Sequence, residues 1–166
     1  WIMALVLKLQ PVDFLTLNLQ VPVQILFRLA ASFCGVFGFS VMFNSPVRLA
    51  AVAAGIGAVA NTFRLELVDL TACPPAAAAF MGALAAGLLA SLIKSRVGYP
   101  RISVTVPSIV IMVPGLYLYR GFYNLGMMSL SASASWFASA ILIVAALPLG
   151  LIFARILTDK TFRYCT

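Results

Sequence analysis

Histidine is absent from this 166-residue chain, and only four of its residues are carboxylates. Histidine is the usual base and metal ligand near neutral pH, so most hydrolytic and metal-dependent mechanisms lack their parts. Cys34, Cys73 and Cys165 are odd in number, scattered and never spaced CxxC, which suggests neither a disulfide framework nor a zinc site. No Walker pattern occurs, and no glycine cluster follows a strand-to-helix transition, so ATP hydrolysis has no motif. No cofactor is implied. An intramembrane enzyme also lacks support, because no paired acids or serine-lysine arrangement lies at a suitable depth. Charge is scarcest of all: 9% of residues are charged, where soluble domains carry roughly 25%. Such a chain cannot cover an ordinary water-facing surface.

What is present in quantity is hydrocarbon. Hydrophobic residues make up 63% of the chain and the mean hydropathy is +1.09, so this is an integral membrane protein built of helices, not an enzyme. The formal net charge of +7 would suggest nucleic acid as a partner in a polar chain. Here the eleven lysines and arginines fall between apolar runs, which is the spacing of interfacial anchors and excludes a phosphate-binding patch.

Read in order, residues 1–22 form an N-terminal connecting or interfacial segment, residues 23–158 a five-helix transmembrane module, and residues 159–166 a short basic tail. The stretch WIMALVLKLQ is too short for a bilayer core, which needs about 20 residues. The start at Trp1, with no basic region before it, leads us to expect residues upstream. Spans are predicted at 24–43, 46–63, 75–93, 102–120 and 136–156. Asn44-Ser45-Pro46 marks a turn, with Pro46 placed to open the second helix. The stretch 64–75, with Arg64, Glu66, Asp69 and Pro74-Pro75, reads as a charged connection outside the hydrocarbon, and Glu66 and Asp69 are either solvated there or carriers of protons. Gly121 to Ser135 reads as a second, glycine- and serine-rich connection, with Trp136 at an interface.

Two ridges of small residues suggest close helix packing, which drives association in lipid. One runs Ala78, Gly82, Ala86, Ala90 with Gly87 and Ser91 beside it, and the other runs Ala146, Gly150, Ala154. The small residues of the first could equally be filling an alanine-rich helix. The positive-inside rule sorts the basic residues into Arg48, Lys94, Arg96, Arg101, Arg155, Lys160 and Arg163 on the cytoplasmic side. Lys8, Arg28, Arg64 and Arg120 then lie outside, with the N-terminus outside and the C-terminus inside.

The stretch SVTVPSIVIMVPGLYLYRG, residues 103–121, carries the functional expectation. It has the apolarity of a span, yet Pro107 and the Pro114-Gly115 pair interrupt it. An interior proline costs a helix about 3 kcal/mol or more, and unpaired backbone groups in hydrocarbon cost several more. Two breaks in one run therefore call either for a polar cavity, as in transporters whose half-helices aim at a charged substrate, or for a kinked packing helix. Arg120 could grip a carboxylate through two parallel N–H bonds or serve as an interface anchor beside Tyr119. Tyr117 and Tyr123 are belt aromatics or hydroxyl donors to a substrate. Asn61, an amide one turn inside the second span, needs a partner, whether helix, water or substrate. Only fifteen residues separate Arg48 from Arg64, so these arginines sit at opposite interfaces or one faces a cavity. The candidate substrate-binding residues are thus Pro107, Ser108, Pro114, Gly115, Tyr117, Arg120 and Asn61. No metal ligand is proposed. A non-transporting scaffold that docks a partner through the two ridges is the rival from another class.

The assembled motifs resemble the threonine/serine exporter family, in its small subunit or C-terminal transmembrane half. The matching residues are Phe43-Asn44-Ser45-Pro46 with Arg48, the Gly57 region followed by Arg64, Ala79-Phe80-Met81 leading into the small-residue helix, Pro107, and Val113-Pro114-Gly115-Leu116-Tyr117. The likeness covers about residues 25–160, while residues 1–22 match nothing. It implies a five-helix module working with a larger transmembrane module, fused upstream or separately encoded. It also implies export of threonine and serine, or in some relatives dicarboxylates, across a bacterial cytoplasmic membrane. Asn44, Pro46, Arg48, Arg64, Gly82, Ala86 and Gly150 carry motif or packing matches only. Association with a second copy of the chain is open.

Overall fold

A computed structural model describes residues 2, 6, 7, 20–98 and 100–159, with the side chains of 94–97 left aside. The expectations for most of 1–19, for the side chains of Lys94 and Arg96, and for Lys160 and Arg163 in the tail lie outside the described residues. Among the described residues from Gln20 onward, six helices follow one another: α1 (Val21–Met42), α2 (Val47–Thr71), α3 (Pro75–Val97), α4 (Arg101–Val110), α5 (Gly115–Gly126) and α6 (Leu130–Thr158). No strand occurs among the described residues. Four helices are long and apolar enough to cross a membrane, and α4 with α5, bent by 42°, passes the same test as a pair, which allows up to five spans. A re-entrant loop would have to reverse its direction almost completely. A bend of 42° carries the chain onward, in keeping with five crossings.

Proline punctuates the helices. Pro46, Pro74 and Pro100 occupy the positions just before α2, α3 and α4, each with φ near −55° and ψ near 140°. That fixed extended geometry turns the chain into a helix without leaving an unpaired amide, because proline has none. Helix ends are closed by left-handed residues: Asn44 (φ 57°) follows α1, Ala72 (φ 50°) follows α2 and Gly98 (φ 70°) follows α3. At the first of these, the Ser45 amide donates to the Ser40 carbonyl at 3.1 Å and closes the predicted turn.

Three boundaries differ from the sequence expectation, each for a visible reason. The charged stretch 64–71 is not a connection but the last two turns of α2. Glu66 and Asp69 lie three residues apart on one face and both accept hydrogen bonds from Arg28 on α1, at 2.7 Å in the case of Glu66. Charge that would have forced a loop is instead paired across two helices. The connection expected at 121–135 shrinks to Met127-Met128-Ser129, because α5 runs on to Gly126 and α6 begins at Leu130. Two of its serines return their hydroxyls to carbonyls: Ser133 to Gly121 at 2.8 Å and Ser135 to Ala132 at 2.8 Å. A serine-rich stretch bonded in this way has no need of water. Finally, Pro107 does not break the fourth segment. It sits buried inside α4, and the helix continues past it to Val110, so the segment has one break, at Ile111–Pro114.

The core is made of small side chains. Ala50, Ala54, Ala60, Ala78, Ala79, Ala83, Ala86 and Ala154 are wholly buried. α2 packs on α1, α3 and α4, and α3 packs on α6, which also holds α5. The two predicted ridges meet these neighbours. A Cβ on Gly150 would lie 2.5 Å from the Phe80 carbonyl oxygen and 2.8 Å from Ala83 Cβ, and one on Gly87 would lie 2.5 Å from Ala154 Cβ. The α6 ridge therefore docks on Phe80, Ala83 and Gly87 of α3. Gly82 faces elsewhere, toward Ala60 and Arg64 of α2 and Met112. α3 thus presents two small-residue faces, one to each neighbour.

Candidate functional site

The break after α4 opens onto a cavity of about 390 Å³, lined by Arg64 of α2, Pro114, Tyr117 and Arg120 at the break and on α5, and Trp136 of α6. Leu65, Val68, Pro75 and Ile111 supply its apolar wall. Its backbone is tightened into short turns, with Met112 N–H donating to the Ile109 carbonyl at 2.9 Å and Val113 N–H to Val110 at 3.1 Å. No side chain caps the first turn of α5, which starts at Gly115. Unclaimed amides at a helix start carry a partial positive charge.

Arg64 is half-buried at this cavity. Its Nε donates to Asn61 Oδ1 at 3.1 Å, and the Asn61 amide nitrogen donates in turn to Ser32 Oγ of α1 at 2.8 Å. This chain of bonds orients the guanidinium, yet among the described residues it meets no carboxylate. Four of its five N–H groups remain for a ligand. The nearest acids on the same helix, Glu66 and Asp69, are held by Arg28 and so do not neutralise it. Arg120 lies over the Trp136 ring with 4.9 Å to the centroid, and Tyr117 meets the same ring edge-on at 5.6 Å. Stacking of this kind spares Arg120 part of its desolvation cost while holding its plane.

Of the sequence candidates, Pro114, Tyr117 and Arg120 line the cavity, Gly115 opens the helix beside it, and Asn61 is the buried partner of Arg64. Pro107 and Ser108 are not brought there. Both are buried in α4, and the Ser108 hydroxyl donates to the Val104 carbonyl at 2.6 Å and the Ala53 carbonyl at 3.2 Å, binding α4 to α2. Gly57 explains that contact, since a Cβ there would lie 2.8 Å from the Ser108 carbonyl oxygen. Asn44, Pro46 and Arg48 are exposed at the far end of the bundle. Tyr123 packs beside Tyr119, their centroids 6.4 Å apart. Two residues join the site that were not among the substrate-binding candidates: Arg64, a motif match that the sequence left either at an interface or facing a cavity, and Trp136, read as an interface aromatic. The fifteen-residue spacing from Arg48 held the signal for Arg64. Sixteen steps of helix put the two about 24 Å apart, so with Arg48 at one surface Arg64 still lies within the bundle.

A multi-pass helical bundle with a cationic cavity at a broken span has the architecture of a membrane transporter. A family model described as threonine/serine exporter, ThrE, matches residues 28–157, and the chain belongs to that family. It is thus a multi-pass membrane protein of an exporter family, as the motifs implied. Searches of curated proteins and of solved structures gave no match.

Proposed function

We propose that this chain is one module of an exporter of small amino acids, threonine and serine, across a bacterial cytoplasmic membrane, and that it acts with a second, larger transmembrane module. The cavity at the break receives the substrate carboxylate on Arg64, with Arg120 and the uncapped start of α5 adding to the field. The observation that carries this is Arg64, an oriented, half-buried guanidinium on a spanning helix that meets no carboxylate among the described residues. Burying such a charge is costly unless a ligand repays it. Tyr117 and Trp136 wall the site and limit the side chain it accepts. The scaffold reading rested on two ridges free to dock a partner. Those ridges are spent inside the chain, on Phe80, Ala83, Ala60 and Ala154.

The test is flux of labelled threonine, serine and succinate in proteoliposomes, with and without the larger module. Threonine or serine flux that requires both modules is expected. Succinate flux alone would point to a dicarboxylate exporter, and no flux of any of the three would sink the transport reading.

A further inference from the structure

A second cavity lies at the opposite end of the bundle, and nothing in the exporter reading uses it. The main contacts of α4 are with α2 and α3, and those of α6 are with α3 and α5. Between α4 and α6 this leaves a cleft of about 570 Å³, lined by Pro100, Arg101, Ile102, Thr105, Val106, Leu151, Ile152, Arg155 and Asp159. Its two halves differ chemically. Ile102, Val106 and Ile152 are 67%, 44% and 44% exposed, so the apolar half opens sideways on the flank of the bundle. The polar half lies at the helix ends, where Arg101 begins α4 and Arg155 stands in the last turn of α6.

Arg101 is not a loose surface side chain. One guanidinium nitrogen donates to the Gly87 carbonyl at 2.8 Å and the other to Thr158 Oγ1 at 2.9 Å. Gly87 makes room for this reach, since a Cβ there would stand 3.4 Å from the Arg101 nitrogen. The remaining N–H groups of the fork stay available at the cleft. Arg155 adds a second cation, and Asp159, 3.9 Å from its Nε, also acts on Arg101, so that one acid is shared between the two arginines lining the cleft. The start of α4 at Pro100 has no side-chain cap and contributes a further partial positive charge.

We propose that this cleft binds one anionic phospholipid, its phosphate on Arg101 and Arg155 and its acyl chains along Ile102, Val106, Leu151 and Ile152. Charge complementarity selects the occupant: cations sit where headgroups lie and apolar side chains sit where tails lie, in one continuous groove. The same end carries the excess of basic residues in the sequence and so faces the cytoplasmic leaflet, where a negative surface potential is expected. An apolar helix of a partner module would satisfy the apolar half but would offer nothing to the two arginines, which share one acid among the described lining residues.

The experiment is native mass spectrometry of the full chain, delipidated in detergent and titrated with phosphatidylglycerol, phosphatidylcholine or inorganic phosphate. One phosphatidylglycerol should bind at least about tenfold more tightly than phosphatidylcholine, and inorganic phosphate should compete weakly. Arg155→Ala and Arg101→Ala should each remove most of that preference, and Arg48→Ala, a cation at the same end but away from the cleft, should not. Arg155 is exposed, so its variant reports even if Arg101→Ala, which also loses the Gly87 and Thr158 bonds, fails to fold. Equal binding of the two lipids, an equal loss in Arg48→Ala, or phosphate binding as tight as lipid would overturn the proposal. So would a complex with the larger module that binds no phosphatidylglycerol.

Discussion

Gly150 of α6 sits against the backbone of Phe80 in α3, so close that a methyl group in place of its hydrogen would stand 2.5 Å from the Phe80 carbonyl oxygen. The obstacle is backbone on one side and the buried Ala83 on the other, and neither can swing away. Gly150→Ala should therefore destabilise the bundle by about 1–3 kcal/mol, the usual cost of overpacking. Gly38→Ala, on a face with nothing within 4 Å, should be neutral or slightly stabilising, since alanine is the better helix former. Thermal unfolding of both variants in detergent checks the pair.

The Arg28 cluster ranks its two acids. The Glu66 side chain is 17% exposed and that of Asp69 is 47% exposed, so water screens the second contact more than the first. Glu66→Gln should cost about 1 kcal/mol or somewhat more, and Asp69→Asn less than about 0.5 kcal/mol. Equal losses in the same unfolding assay would show that burial does not set the strength of these pairs.

Arg64 separates charge from shape. Arg64→Ala should lower threonine flux by at least about tenfold, since a charge-assisted bond is worth roughly 1.5–3 kcal/mol. Arg64→Lys keeps the charge but loses the fork and the Nε bond to Asn61, so partial flux with weakened affinity is expected. Flux within twofold of the parent in Arg64→Ala, measured in proteoliposomes with the larger module, would remove the cavity from the mechanism.

The helical membrane class, the proline turns and the two small-residue ridges were legible in the sequence because each is a local or periodic signal. The charged end of α2 was not, because it depends on Arg28, 38 residues from Glu66 in the chain, and pairing across helices leaves no local mark. The same holds for the serines of α6. Ser133 and Ser135, read as loop, turn out to bond carbonyls of α5 and of their own helix. In the site, Pro114, Tyr117 and Arg120 were found because the break is written in the proline itself. Trp136 was placed at an interface because a tryptophan at a helix end reads the same whether it faces headgroups or Arg120.

The fourth segment offers the sharpest contrast, since two prolines seven residues apart do different things. Pro107 is buried in a continuous helix, and the bond it forfeits is one, to the Ser103 carbonyl. Pro107→Ala restores that donor at the cost of a small void, and the opposing effects should leave stability within about 2 kcal/mol and flux within twofold. Pro114 stands at the bend and lines the cavity. An alanine there brings back an amide able to reach the Val110 carbonyl, which favours joining α4 and α5 into one straighter helix and closing the site. Pro114→Ala should thus keep or raise the unfolding temperature while threonine flux falls by about tenfold or more, the signature of a break kept for function at the expense of stability. If both substitutions cut flux alike, the bend at Pro114 is not what shapes the site.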